Sequence, residues 1–221
     1  MAGQGTGQQI GITAGIAPSC LPAAAALWWR GMGRQVLPHA PARAGIRWAR
    51  LALRPQAGLC AHDRHGRLVG LAGLRDGGGG LIDWRVPLSP LLGPLAGGLG
   101  RAGLMLWRAG PATADLVLDG LAVHPRARRA GMARALIRAA LAEAAARGRP
   151  GLTVEVLAAN RAARELYASE GFVVAVSHRP GHGRRALVMR RDCAGNAGEG
   201  GRASGNGGLP APAAPPISGA C

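Results

Sequence analysis

The sequence predicts an α/β domain built on a mixed sheet, and three observations carry that reading. From Leu116 a strand, a Pro- and Arg-containing turn and a long helix follow one another without a gap. Leu152, Val154 and Val156 then alternate with Thr153 and Glu155, the pattern of a strand with one buried face, before a short helix that Asn160 is placed to cap. Pairs of apolar runs separated by polar turns, the mark of hairpins, lie on both sides of this block. Alternating strands and helices place a sheet at the centre with helices on its faces.

In chain order, Gln9 to Ile16 is β-capable, and Leu21 to Met32 reads as a helix whose apolar face includes Leu27 and Trp28. Gly58 to Ala61 and Leu68 to Leu74 flank the polar stretch His62 to Arg67 as a hairpin. Residues 76–110 open with Asp76 and four successive Gly and run on through a Pro- and Gly-broken apolar stretch; an inserted helical segment and a mobile flap both fit. The strand Leu116 to Val123 leads into a helix from Ala130 to Ala146. Met132, Leu136, Ala140 and Ala144 recur there at helical spacing, Arg134/Arg138 and Glu143/Arg147 stand at i,i+4, and Gly148 and Pro150 supply the stop. Leu152 to Leu157 is the next strand, and the helix from Asn160 ends at Glu170 with Gly171 beyond it. Phe172 to Val176 and Ala186 to Met189 close a second hairpin.

The domain is expected to span residues 8–192, after a flexible start at 1–7. The last 29 residues, 193–221, hold 8 Gly, 7 Ala and 4 Pro with Glu199 and Arg202 as their only charges. Such a segment cannot bury enough apolar surface to offset its ordering entropy, so a disordered tail is expected.

The net charge of +16 ordinarily suggests a polyanionic partner. All 27 basic residues are Arg, however, and a chain without Lys but rich in Ala, Gly and Pro has the composition of a GC-rich coding sequence. No dense basic tract stands out, and only Trp28 and Trp29 offer stacking surface, so specific nucleic-acid binding is not expected. Cys20, Cys60, Cys193 and Cys221 form no CxxC pair and read as free thiols in a reducing compartment; with no basic segment before Cys20, a cytoplasmic place is expected. The longest charge-free apolar stretch, Val86 to Gly100, is broken by Pro87, Pro90 and Pro94, so no membrane span is expected. Cys60, His62 and His65 sit around a hairpin tip with no second ligand pair, and no metal site is expected.

The residues that carry chemistry begin where the first long strand ends. Val123-His124-Pro125-Arg126-Ala127-Arg128-Arg129-Ala130-Gly131-Met132-Ala133 leaves a strand and opens a helix. A helix start has unpaired N–H groups and positive potential, and small residues leave room for a phosphate to approach. A plain helix start behind a solvated arginine turn has the same sequence. Arg128-x-x-Gly131-x-Ala133 after Leu121-Ala122-Val123 resembles the acetyl-CoA loop of the GNAT N-acetyltransferase superfamily. Asn160-x-x-Ala163-x-x-Leu166-Tyr167-x-x-x-Gly171-Phe172, which holds the only Tyr and the only Phe of the chain, is similar to the second motif of that superfamily. The likeness is close over residues 110–192 and extends to 8–75 only in element order.

The resemblance implies a GNAT-like, mostly antiparallel sheet with a splay between its two central strands. It implies direct acetyl transfer from acetyl-CoA to a primary amine of a small molecule or peptide. Leu121, Ala122, Val123, Arg128, Arg129, Ala130, Gly131, Met132, Ala133, Asn160 and Arg164 fall at its cofactor positions. Tyr167 falls at the general acid that protonates the leaving thiolate, and a packing role against Phe172 is its plain alternative. Asp119 stands where several relatives carry the base, although Asp119-Gly120 is also a turn dipeptide; Glu155 is the reserve. A monomer or homodimer is expected. A non-catalytic acyl-CoA sensor and a basic nucleic-acid-binding protein are the alternatives.

Overall fold

The computed structural model describes residues 11–37, 40–89, 113–178 and 185–193. Seven strands form one sheet in the order β1-β2-β3-β4-β5-β7-β6. The strands are β1 (Gly11–Ala14), β2 (Gly58–His62), β3 (Leu68–Arg75), β4 (Leu116–Val123), β5 (Gly151–Leu157), β6 (Val173–His178) and β7 (Ala186–Asp192). Every neighbouring pair is antiparallel except β4 and β5. Both expected hairpins are present, as β2–β3 and β6–β7.

Among the described residues, four helices cover the sheet. On one face lie α1 (Leu21–Trp28) and α2 (Ala42–Ala52); α1 continues through a π-helical turn, Trp29–Gly33, into Arg34–Val36. On the other lie α3 (Met132–Ala146) and α4 (Arg161–Ser169). The α2 helix is absent from the sequence-based element order, yet its buried residues Gly45, Trp48, Ala49 and Ala52 recur at helical spacing. The helix expected from Ala130 starts two residues later because Arg129 and Gly131 take left-handed backbone angles, φ 61° and 77°.

The sheet separates two cores. Leu116, Leu118, Leu152, Val154, Val156 and Leu187 pack beneath Leu136, Ile137, Ala140, Tyr167 and Phe172 of the α3/α4 side. Cys60, Leu71 and Ala122 face the other way, onto Ala24, Trp28, Trp29 and Trp48. Trp28, Trp48 and Trp84 form a ring cluster with centroids 5.6–6.3 Å apart, Trp28 and Trp84 meeting edge-on. The start of the uncertain region 76–110 is thereby placed, since Leu81 and Ile82 are buried in this second core and Ile82 bridges to Leu53. Residues 90–112 lie outside the described part, as does the expected tail beyond Cys193. Cys193 itself, expected at the start of the tail, is buried in the α3/α4 core. Cys60 and Cys193 are free thiols as expected, whereas Cys20 is disulfide-bonded, which corrects the reading of all four as free.

One irregularity decides which way β4 presents its side chains. Gly70, Leu71 and Ala72 pair with Val123, Ala122 and Leu121, but Leu74 and Arg75 pair with Leu118 and Val117, so Asp119 and Gly120 together oppose Gly73. This is a β-bulge, not the hairpin turn that Asp-Gly also allows. It reverses the alternation: Leu116 and Leu118 before it, and Leu121 and Val123 after it, all face the α3/α4 core. Gly120 has φ 139°, and a Cβ there would stand 2.1 Å from Met32 Sδ. Gly120→Ala is therefore expected to lower the unfolding free energy by about 1–3 kcal/mol in chemical denaturation. Gly77→Ala, whose Cβ meets nothing within 4 Å, is expected to change it by less than about 0.5 kcal/mol.

Candidate active site

The pairing of β4 with β5 is short. It joins Leu116 to Leu152, Val117 to Thr153 and Leu118 to Val154, and then stops, although β4 runs on to Val123 and β5 to Leu157. Beyond Leu118 the two central strands are each held only by their outer neighbours, β3 and β7. The N–H of His124 donates to Val69 O at 2.8 Å, toward β3. Amide directions alternate along a strand, so the N–H of Val123 points the opposite way, into the gap.

At the end of β4 the chain turns through a short 3-10 segment, Pro125–Ala127, with His124 Nδ1 accepting from the Arg126 N–H at 3.3 Å. The left-handed residues Arg129 and Gly131 then curl the backbone on either side of Ala130, an arrangement that turns successive N–H groups toward one side. Among the described residues, the backbone N–H groups of residues 129–134 find no acceptor in the chain. Ala135 is the next to find one, on Gly131 O at 3.0 Å. No acidic side chain stands in the first turn of α3, and Arg126, Arg128 and Arg129 are exposed around it. Six free amides at the positive end of a 15-residue helix are a set of donors that could receive an anion.

The second motif supplies α4. Asn160 Oδ1 accepts from the Ala163 N–H at 3.2 Å, so the asparagine caps the helix as its position predicts. Arg164 Nη1 donates to Ala158 O at 3.0 Å, which pins the exposed arginine to the turn between β5 and α4. Tyr167, two residues before the helix ends, is 5% exposed, with its ring centroid 5.6 Å from that of Phe172. Burial pushes its hydroxyl up to about 12, so it stays protonated throughout the neutral range.

The carboxylates sit on the other face. Leu118 and Val154, the last pair, face the α3/α4 core, so Asp119 and Glu155, each one residue further on, face the α1/α2 side. They flank the mouth of the gap, one from each strand. Asp119 forms an ion pair with Arg75 at 3.6 Å and lies against Gly80. Met32 Sδ, from the π-helical turn after α1, packs over Gly120 beside it. Met32 carried no signal in the sequence. Its placement depends on the extra residue of the π-turn, a device common at functional sites.

Cys60 is buried, and its thiol is pushed up to about 12 by that burial, while His62 and His65 stand at the exposed end of the hairpin. Among the described residues no group of three His, Cys, Asp or Glu side chains comes together, and no helix is long and apolar enough to cross a membrane.

The sequence model of the acetyltransferase (GNAT) family matches residues 22–172. Solved structures with the same fold include an N-acetyltransferase from Staphylococcus aureus Mu50, at 14% identity and TM-score 0.63, with 82% of this chain and 100% of that one covered. Another is described only as an acetyltransferase, at 21% identity and TM-score 0.58, covering 82% and 98%. The ribosomal-protein-S18-alanine N-acetyltransferase from Escherichia coli aligns at 21% identity and TM-score 0.52, covering 86% and 99%. No curated protein has significant sequence similarity to the chain. The match to the family runs from α1 through both motifs to Phe172, over the gap, the amide loop and the capped helix, and the chain belongs to the acetyltransferase (GNAT) family, whose acyl donor is acetyl-CoA.

Proposed function

We propose that the chain is an N-acetyltransferase that moves an acetyl group directly from acetyl-CoA to a primary amine of a small molecule or peptide. The observation that carries this reading is the gap in the sheet. It joins a face bearing the amide loop and a protonated tyrosine to a face bearing two carboxylates. Donor and acceptor can therefore meet without sharing an entrance, as direct transfer requires.

The residues present fit the donor. The free amides around Gly131 and the small side chains of Ala130 and Ala133 suit its pyrophosphate, with Arg128, Arg129 and Met132 completing the loop. Leu121, Ala122 and Val123 line the open edge of β4; Asn160 and Arg164 stand at the start of α4. Bound acetyl-CoA supplies an activated acetyl thioester. The Val123 N–H polarises the acetyl carbonyl from within the gap. The Tyr167 hydroxyl gives its proton to the departing sulfur as the C–S bond breaks, a contribution worth roughly 10²- to 10⁴-fold in rate. Asp119, directly or through one water, takes the proton that the amine loses as its new C–N bond forms; Glu155 across the gap mouth is the reserve base. No step needs a metal or a nucleic acid. The cytoplasm is the proposed location: the free thiols of Cys60 and Cys193 fit a reducing compartment and the disulfide at Cys20 does not. A monomer or homodimer is proposed for the assembly.

Gly131→Glu places a bulky anion among the loop amides and is expected to abolish the thermal stabilisation that acetyl-CoA gives the wild type. An undiminished shift would remove the loop from the donor site. Tyr167→Phe keeps the ring and is expected to lower kcat by about 10²-fold or more with little change in acetyl-CoA affinity. Wild-type turnover would instead leave Tyr167 as a packing residue against Phe172. Asp119→Asn is expected to depress the rate mostly on the acid side of the pH profile, where free amine is scarce; if only Glu155→Gln does so, the base is Glu155.

Tyr167 is the only tyrosine, so ultraviolet titration reads it alone. Its midpoint is expected near 12, against about 10 for an exposed phenol. The folded state holds this proton more tightly than the unfolded chain, so the associated stability is complete below about pH 10 and is lost as the pH rises toward 12. A midpoint near 10 would place the hydroxyl in water.

A further inference from the structure

The segment that builds the α1/α2 layer carries charge of one sign only. The first 62 residues hold six arginines and no Asp or Glu, although the whole chain has 11 acidic residues. One of the six, Arg54, donates to Gly78 O at 2.6 Å. Arg30, Arg34, Arg43, Arg47 and Arg50 are all exposed, and none of them meets an acidic side chain among the described residues. Elsewhere the same residue type is neutralised, since Arg134, Arg138, Arg147, Arg161 and Arg190 each pair with a carboxylate. Composition supplies arginine to both layers; the α1/α2 layer lacks the counter-charge.

The fold gathers these five side chains into one band beside the gap mouth. Met32 of the π-helical turn packs over Gly120, next to Asp119, and Arg30 and Arg34 stand two residues to either side of it. Two residues are about half a helical turn, so both arginines project away from the sheet. The α2 helix continues the band: Gly45 lies so close to Trp29 that a Cβ there would meet the ring, and Arg43 and Arg47 flank it in the same way, with Arg50 three residues on.

Like charges three and four residues apart on one helix repel each other. A partner's carboxylates would remove that cost through charge-assisted bonds to the guanidinium forks. The gap mouth has the opposite sign, because Asp119 and Glu155 stand there. A molecule that complements both regions carries an amine and, beside it, several negative charges. A polypeptide rich in Asp and Glu has both on one chain. Arg43 to Arg50 spans about 10 Å along the axis, the reach of about three residues of extended peptide. Leu51, 74% exposed and four residues from Arg47, offers such a chain an apolar contact. Single-stranded nucleic acid fits less well, since among the described residues no aromatic side chain is exposed to stack on a base.

We propose that Arg30, Arg34, Arg43, Arg47 and Arg50 form the docking surface for an acidic polypeptide, whose carboxylates they bind while its amine enters the gap mouth. This names the acceptor class of the N-acetyltransferase reading above; the substrate role rests on that reading, and the binding does not.

Two labelled peptides of about ten residues test this with the full chain. Both begin with a free amine; one carries Asp or Glu at every second position, and the other has Asn or Gln in their place. Fluorescence anisotropy reads binding without turnover, and mass spectrometry with acetyl-CoA present reads transfer. The wild type is expected to bind the acidic peptide about tenfold more tightly, as several exposed pairs act together, and to lose most of that preference as salt is raised. In transfer the preference is expected in KM, with kcat little changed. An Arg43→Gln, Arg47→Gln, Arg50→Gln triple variant is expected to bring the affinity ratio close to one, with thermal stabilisation by acetyl-CoA as in the wild type. If that variant does not fold, Arg47→Glu alone is expected to lower the ratio by about threefold. Equal binding of the two peptides by the wild type, a ratio unmoved by these substitutions, or tighter binding of a uridine oligonucleotide of matched charge overturns the proposal and leaves the N-acetyltransferase reading standing. An acidic preference in binding with acetyl transfer to neither peptide upholds the docking surface and tells against that reading instead.

Discussion

The parallel pairing of β4 with β5 stops at Leu118 and Val154, and the rest of the site depends on that early end. A continuous sheet would isolate the α3/α4 core from the α1/α2 core and leave Tyr167 on one side with Asp119 and Glu155 on the other. The bulge supplies the physical cause. Asp119 and Gly120 oppose a single residue of β3 directly after the last β4–β5 pair, and an extra residue bends its strand and increases its twist. The same bulge reverses the alternation, so that Leu121 and Val123 return to the α3/α4 core while Asp119 faces the other way. One inserted residue thus opens the gap, sets the faces and aims the loop that follows.

Much of this was legible in the sequence because the two motifs are local. Asn160 caps α4 through a bond to a residue three positions away, and Gly171, at φ 82°, ends it, as their identities predict. Every strand was anticipated to within a few residues, since each carries its own alternation or apolar run. What escaped depends on partners distant in sequence. The bulge requires knowledge of the β3 register, for Asp-Gly alone equally suits a hairpin. The α2 helix had a readable stripe, Gly45, Trp48, Ala49 and Ala52, in a segment crowded with Arg and Pro. The loop's left-handed Arg129 could not be anticipated, because nothing in an Arg-Arg-Ala-Gly run distinguishes it from a helical residue.

The charge also reads differently in three dimensions. Arg134 and Arg138, notable in sequence only for their i,i+4 spacing, both reach across to Glu170, 36 and 32 residues away along the chain. Glu143 and Arg147 do pair within the helix at 2.8 Å, and Arg147 also binds Asp76 at 2.9 Å, tying α3 to the turn after β3. Arg190 holds the buried Asp115 at 2.7 Å, at the base of β4. Several arginines therefore brace the frame around the gap. A composition bias toward Arg has thus been put to local structural use.

Amide hydrogen exchange, with and without acetyl-CoA, measures the claim about the donor loop most directly, since that claim rests on six backbone N–H groups that find no acceptor among the described residues. The account predicts fast exchange at residues 129–134 in the free protein and strong slowing there when acetyl-CoA is added, together with slowing at Leu121 and Val123 on the open edge of β4. Binding of acetyl-CoA with exchange at these amides unchanged would contradict it.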